Sequence, residues 1–172
     1  KIYRSGVGGI GWLVNTIRVD LAYYFSMLGS HLASPTVSAL QALKHTMRYI
    51  QGTKHYKLSM QLGHDAMTQG ERANKCELYV DSNHATDTKH RKSQTGELSI
   101  ANGAPNKWKS KTQSITATSS AEAEICAAST AVQDFMHLSY VAEELGIDDF
   151  PRPFPLHIDN AAAKIFSDDT CR

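Results

Sequence analysis

The chain has 172 residues, of which 41% are hydrophobic and 20% charged, and its formal net charge is +1 at pH 7. These values are ordinary for a soluble globular protein, and the length suffices for one well-buried domain with a smaller appendage. No apolar run approaches the roughly 18 residues that cross a bilayer, and three widely spaced cysteines suit neither a disulfide framework nor a zinc site. We therefore expect no membrane segment and reduced intracellular thiols.

Residues 1–62 are predicted to form a small helical segment. Apolar residues recur near helical spacing from Val14 to Leu28, although four glycines between positions 6 and 11 interrupt the pattern. Ser34 and Pro35 predict the next helix, with Ser34 as its cap and Pro35 at its first position, and Gly52 predicts its end. The stripe expected to pack inward consists of Leu40, Leu43, Met47 and Ile50.

Residues 63–75 are polar, contain two glycines and are predicted to be a linker. Beyond them the hydrophobic period changes to two. In the predicted strand from Cys76 to Asp81, Leu78 and Val80 face one way and Asp81 faces the other. Two further strands are predicted at 96–100 and 107–111, because Asn102-Gly103 between them is a strong hairpin turn signal.

A long helix is predicted to begin after Ser119, which forms a capping box with Glu122, and to end at Gly146. A short strand follows at 156–158, and a last helix begins at Asn160. The order strand, strand, strand, helix, strand, helix predicts a mixed α/β domain over residues 76–172. The helix face expected to pack inward consists of Ala121, Ile125, Ala128 and Val132. The chain starts at Lys1 without Met and ends without a closing element, so we expect a piece of a longer protein whose second domain is truncated.

Three acidic residues on three predicted elements are the candidate catalytic and metal-binding groups: Asp81, Glu124 and Asp159. Phosphodiester hydrolysis needs an activated water and stabilisation of the leaving oxygen, which two Mg²⁺ ions about 3.5–4 Å apart can provide. Such ions take oxygen ligands, so a few carboxylates on rigid elements suffice. Glu122 already serves the capping box, and we therefore assign Glu124 to the chemistry. For each aspartate, a turn or cap role is the alternative.

Charge is distributed unevenly along the second half of the chain. Residues 86–115 carry a net +4 and residues 134–159 a net −5. A basic hairpin beside an acid-rich half is typical of a nucleic-acid face next to a cation site, although most charge clusters are solvated surface. The predicted phosphate contacts are Arg91, Lys92, Lys107, Lys109 and Lys111.

Three ordered sequence blocks resemble the ribonuclease H domain of copia-type retrotransposon polyproteins. Residues 91–96 (RKSQTG), 108–113 (WKSKTQ) and 119–124 (SSAEAE) match family blocks that read roughly RKSTSG, WKSKKQ and SSTEAE. Residues 3–5 and 48–53 resemble the segment that joins the family's reverse transcriptase to its ribonuclease H domain. The resemblance thus covers nearly the whole chain.

The resemblance implies a ribonuclease H-like α/β fold that cleaves the RNA strand of RNA/DNA hybrids with two Mg²⁺ ions, for which Mn²⁺ can substitute. It places the acids of the site at Asp81, Glu124 and Asp159. Ser82 and Asn160 adjoin two of these acids and are expected to position the site or contact the nucleic acid, and structural capping is the favoured single role for Asn160. It also implies adjacent reverse transcriptase and integrase regions, and an intracellular location in a cytoplasmic virus-like particle or the nucleus. Neither a membrane nor a small-molecule cofactor is expected.

The chain departs from the family in ways that leave alternatives open. The family's DADWA is replaced by residues 81–85 (DSNHA), so His84 stands where an aromatic is usual. The family's KHID-like block, which carries a further active-site group, would lie beyond Arg172, which puts full activity of this chain in doubt. One alternative is a catalytically silent module that binds hybrid or supports a polymerase. Another, with little support, is a carboxylate–metal phosphatase or exonuclease.

Overall fold

The computed structural model describes residues 1–60, 76–85, 91–147 and 154–160. The chain divides into two compact units, residues 1–59 and 60–172. The predicted linker at 63–75, and the helix predicted from Asn160 except for Asn160 itself, lie outside the described residues. In the part of the chain that is described, no helix is long and apolar enough to span a membrane.

The first unit is helical, as predicted. Its elements are α1 (Ile2–Thr16), a 3₁₀ turn (Val19–Leu21), α2 (Ala22–Gly29) and α3 (Val37–Gly52). Their shared core contains Tyr3, Val7, Ile10, Val14, Leu21, Leu28 and Leu43. Tyr3 also joins α1 to α2, because its hydroxyl donates to the Leu28 carbonyl at 2.7 Å.

Two of the four glycines that interrupt the α1 pattern, Gly6 and Gly11, permit close helix packing. A Cβ placed on Gly11 would lie 2.6 Å from Cε2 of Phe25, and one on Gly6 would lie 2.9 Å from a methyl group of Leu43. These distances are too short for real side chains, so the neighbouring helices occupy the space that a larger residue would need. Packing of α1 therefore outweighs the poor helix propensity of glycine.

The start and the buried face of α3 differ from the prediction. Thr36, not Ser34, caps the helix, since its hydroxyl accepts the Ala39 N–H at 3.1 Å. Thr36, with φ −93° and ψ 166°, is the last extended residue before the helix and has the backbone conformation of an N-cap residue. The buried residues are Ala39, Leu43 and Thr46, whereas Leu40 and Met47 are 36% and 42% exposed.

The second unit is a mixed α/β structure built on a four-stranded sheet. Its elements are β1 (Cys76–Asn83), β2 (Gln94–Ala101), β3 (Ala104–Thr112), α4 (Ser120–Glu144) and β4 (Leu156–Ile158). The strand order is β3-β2-β1-β4, in which the first three strands are antiparallel and β4 runs parallel to β1. The predicted fold class is confirmed, and the architecture is consistent with a ribonuclease H-like fold.

Two local predictions in this unit are confirmed. Asn102 and Gly103, which connect β2 to β3, have φ values of 52° and 81°, so both occupy the left-handed region that a tight hairpin turn requires. Gly146 has φ 71° and lies just beyond the end of α4 at Glu144, as expected of a glycine that terminates a helix.

Helix α4 packs on the sheet through a face that was not predicted. The core joins Cys76, Leu78 and Val80 of β1 to Ala127, Ala131 and Phe135 of α4. Ala121, Ile125, Ala128 and Val132, the predicted inward face, are only half-buried. Alanines at the line of contact let the helix approach the strands closely, and the larger residues flank that line.

Candidate metal centre

The parallel pairing of β1 and β4 brings the two aspartates together. Val80 is paired with Ile158, so the next residue on each strand is an aspartate, Asp81 or Asp159. Both are exposed, whereas Val80 is buried towards α4. The strand predicted to end at Asp81 continues to Asn83.

Glu124 reaches the same place from the helix. It lies in the second turn of α4, its side chain is buried, and the residue is only 4% exposed. Its Oε1 accepts the Ser82 N–H at 3.1 Å, whereas Oε2 is buried and has no hydrogen-bond partner in the described structure. Glu124 is therefore fixed beside the residue that follows Asp81, with one carboxylate oxygen unused.

One oxygen from each of Asp81, Glu124 and Asp159 lies within 4.8 Å of the others. Three carboxylates this close form the donor set that hard divalent cations such as Mg²⁺, Mn²⁺ and Ca²⁺ prefer. The unpartnered Oε2 of Glu124 fits this interpretation, because a buried carboxylate oxygen otherwise has a hydrogen-bond donor. The site could hold a metal ion.

The electrostatics of the triad also favour a cation. The pKa of Glu124 is raised, first by burial and further by repulsion from Asp81 and Asp159, while the Ser82 N–H opposes the rise. None of the ion pairs in the described ranges involves these three acids. Their mutual repulsion is thus uncompensated within the described chain, and a bound divalent ion would relieve it.

Glu122 has the capping role predicted for it, with one difference. The Ser119 hydroxyl accepts the Glu122 N–H at 3.1 Å, which confirms the helix cap. In a capping box the Glu122 carboxylate would accept the Ser119 N–H, but it accepts the N–H and the hydroxyl of Thr118, each at 2.6 Å. These bonds lower the pKa of Glu122 and hold its carboxylate outside the triad.

Gln113 is a site residue that sequence reasoning missed. It follows the last residue of β3, and its amide Nε2 lies within hydrogen-bond distance of Ala123 O, Thr95 Oγ1 and Ser82 Oγ. The signal available in the sequence was its place at the end of the 108–113 block. Nothing in its local pattern indicated which elements it would join.

His84, which stands where the family has an aromatic residue, contacts the segment that leads into α4. Its Nε2 lies 3.2 Å from the carbonyl oxygen of Ala117, a buried residue. The substitution therefore places a hydrogen-bonding ring between the end of β1 and the start of the helix that carries Glu124.

The predicted phosphate contacts fall into two groups. Arg91 and Lys111 are exposed and Lys92 is partly exposed. In contrast, Lys109 Nζ binds Asp134 Oδ2 at 2.6 Å, and Lys107 Nζ lies 3.3 Å from Asp134 Oδ1. The charges of these two lysines are thus partly compensated on the α4 side of the sheet.

The residues next to the two aspartates differ in exposure. Ser82 is 9% exposed, and its N–H and hydroxyl contact Glu124 and Gln113. Asn160 is half-buried beside Asp159. The contacts of Ser82 favour the positioning alternative over contact with nucleic acid.

Comparison with profiles of known protein families gave no match, and no solved structure matches the chain. Similar proteins were found among curated sequences. Secreted RxLR effector protein 161 of Plasmopara viticola is 35% identical over 137 residues, which are 80% of this chain and 91% of that protein.

Retrotransposon polyproteins also match most of the chain. The retrovirus-related Pol polyprotein from transposon TNT 1-94 of Nicotiana tabacum is 31% identical over 145 residues, 84% of this chain. That from transposon RE1 of Arabidopsis thaliana is 29% identical over 161 residues, 94% of this chain. In each case the match spans 10% of the polyprotein. The chain therefore belongs to the same family as the Plasmopara viticola protein, and it is similar to a segment of retrotransposon Pol polyproteins.

Proposed function

We propose that the second unit hydrolyses the RNA strand of RNA/DNA hybrids with two Mg²⁺ ions, as the ribonuclease H portion of a retrotransposon Pol polyprotein. The observation that carries the proposal is the triad of Asp81, Glu124 and Asp159, in which a buried carboxylate oxygen of Glu124 has no hydrogen-bond partner among the described residues. The similarity to Pol polyproteins supports the polyprotein context. The sequence blocks that resemble a ribonuclease H domain support the type of reaction.

The three acids have different tasks in this proposal. Bound Mg²⁺ would supply an activated water and stabilise the charge that develops on the leaving oxygen. Asp81 and Asp159 offer exposed carboxylates on adjacent strands, where an incoming phosphodiester has access. Glu124 offers its free oxygen from the buried side, and the Ser82 N–H holds its other oxygen in place. The rigid sheet and helix thus hold the donor oxygens before substrate binds.

The exposed basic side chains would position the substrate. Arg91, Lys92 and Lys111 are available for phosphate contacts that depend on salt and not on base sequence. Lys107 and Lys109 are weaker candidates because Asp134 already binds them. The distinction between RNA and DNA would come from 2′-hydroxyl groups in the wide minor groove of the hybrid.

The cellular context belongs to the same proposal. A chain of this family within a Pol polyprotein would adjoin reverse transcriptase and integrase regions, and residues 1–62 would be the connection that follows the reverse transcriptase. Its place of action would be a cytoplasmic virus-like particle or the nucleus.

Cleavage of a hybrid with labelled RNA, in Mg²⁺ and in Mn²⁺, tests the proposed activity. We expect Asp81→Asn to lose cleavage and Glu77→Gln to keep it. Glu77 is a suitable control because it is a carboxylate on the same strand, and its contact in the structure is with the Tyr79 hydroxyl.

The assay should be run on the 172-residue chain and on the same chain continued by the next segment of the tobacco polyprotein. Cleavage that survives Asp81→Asn would contradict the proposal. Salt-sensitive hybrid binding by both folded proteins, without cleavage in either ion, would favour the silent binding module.

A further inference from the structure

We propose that Gln113 is a positioning residue of the metal centre, which fixes Glu124 relative to Asp81 by tying the start of α4 to β1 and β2. This inference rests on the proposed function for its catalytic meaning, although its geometry can be measured separately. Gln113 itself touches none of the three acids in the described contacts, so it acts through its neighbours.

The side-chain amide of Gln113 joins three elements at one point. Its Nε2 lies 2.8 Å from the Ala123 carbonyl on α4, 3.0 Å from Thr95 Oγ1 on β2 and 3.3 Å from Ser82 Oγ on β1. Ala123 directly precedes Glu124, and Ser82 directly follows Asp81. The amide therefore bridges the immediate chain neighbours of two of the three acids.

The surroundings make these bonds costly to lose. Ala123 is fully buried, and Thr95 and Ser82 are 8% and 9% exposed, so water has little access to replace the amide. The backbone of Gln113 is fixed as well, because its N–H donates to the Ser93 carbonyl at 2.8 Å. Because both the backbone and the amide of Gln113 are hydrogen-bonded, this residue fixes the start of α4 relative to the sheet.

Two connections link β1 to the start of α4. One is the direct bond from the Ser82 N–H to Glu124 Oε1, and the other is the bridge through the Gln113 amide. With the bridge removed, the Ser82–Glu124 bond would be the side-chain hydrogen bond left between β1 and the first turns of α4 in the described structure, and its carboxylate is repelled by Asp81 and Asp159. Metal sites tolerate displacements of only about 0.5 Å. We therefore expect that loss of the Gln113 bridge weakens metal affinity more than it lowers the free energy of unfolding.

The test compares Gln113→Met, which keeps an unbranched chain of similar size without the amide, with the matched control Gln94→Met. Gln94 also forms side-chain hydrogen bonds, but to Ser110 and Thr112 on β3, within the sheet. Two quantities are measured for the full chain: Mn²⁺ affinity, and the hydrogen-exchange protection of the Ser82 amide relative to the Val80 amide. Gln113→Asn, which keeps the amide on a shorter side chain, provides a second variant if Gln113→Met does not fold.

We expect Gln113→Met to weaken Mn²⁺ binding by about tenfold or more and to lower Ser82 protection selectively, while Gln94→Met changes neither. Equal Mn²⁺ affinity and equal Ser82 protection in Gln113→Met and the unaltered chain would overturn the inference. If the unaltered chain binds no Mn²⁺, the proposed function fails. In that case Ser82 protection still decides the positioning role: a selective loss supports it and an unchanged value refutes it.

Discussion

Neutralising Glu124 is predicted to stabilise the metal-free protein and to abolish its response to divalent ions. The folded structure holds three carboxylates with oxygens within 4.8 Å of one another and no ion pair among the described residues to offset them. Glu124→Gln removes one charge and keeps the shape of the side chain. Its amide oxygen can still accept the Ser82 N–H, and its N–H groups can donate to a carboxylate.

The magnitude follows from Coulomb's law. Two unit charges 4.8 Å apart repel by about 0.9 kcal/mol at the dielectric constant of water and by about 3.5 kcal/mol at an effective value near 20. Asp81 and Asp159 are exposed, so the lower figure applies, and their two repulsions with Glu124 amount to about 2 kcal/mol at low salt. For a unit of this size, that gain raises the melting temperature by roughly 5–10 °C.

The pH dependence has a definite sign. Because the pKa of Glu124 is raised in the folded state, the folded protein binds this proton more tightly than the unfolded chain does. Stability is therefore lost as pH rises from the ordinary glutamate range through the raised pKa. Glu124→Gln lacks this loss, so its advantage in EDTA should be absent at acid pH below that range and should grow as pH rises through the raised pKa.

Thermal unfolding in EDTA and in Mg²⁺ or Mn²⁺ measures both effects. We expect the variant to melt higher than the unaltered chain in EDTA, and only the unaltered chain to gain stability when the ion is added. A variant that is less stable in EDTA at neutral pH, or that gains as much from the ion as the unaltered chain, would refute the electrostatic reasoning.

Three further predictions concern other parts of the chain. Lys109→Met should lower the melting temperature more at pH 8 than at pH 5, because it leaves the buried Glu97 carboxylate, 3.9 Å from Lys109 Nζ, without this cation when it is ionised. The pKa of Glu97 is already raised, mainly by burial. Adding Glu97→Gln should restore the melting temperature at pH 8. Gly11→Ala should cost about 1–3 kcal/mol in urea denaturation, because its Cβ would meet Phe25, whereas Gly9→Ala, with open space around its Cβ, should be neutral or stabilising. Lys111→Ala should reduce the slope of the logarithm of hybrid affinity against the logarithm of salt concentration by about one. An unchanged slope would show that this exposed lysine contacts no phosphate.

Local signals in the sequence were sufficient for much of the second unit. The Asn102-Gly103 turn and the Ser119 cap depend only on neighbouring residues, and both are found where they were expected. The placement of Asp81 beside Asp159 needed one further assumption, that their strands are adjacent, and the parallel register confirms it.

Features that depend on distant partners could not be predicted in the same way. The pairing of Lys109 with Asp134 joins positions 25 residues apart, and the Gln113–Ser82 contact joins positions 31 apart. No local period encodes such contacts. The buried face of α4 was missed because Ile125 and Val132 carry a stronger hydrophobic signal than Ala127 and Ala131, which line the contact with the sheet.

The central claim is that Asp81, Glu124 and Asp159 form a divalent-metal site, and diffraction from crystals grown with Mn²⁺ tests it most directly. The account predicts anomalous peaks at the triad, with metal–oxygen distances of roughly 2–2.4 Å to carboxylate oxygens of all three residues. Crystals in saturating Mn²⁺ that show the triad intact and no anomalous peak between its carboxylates would contradict it.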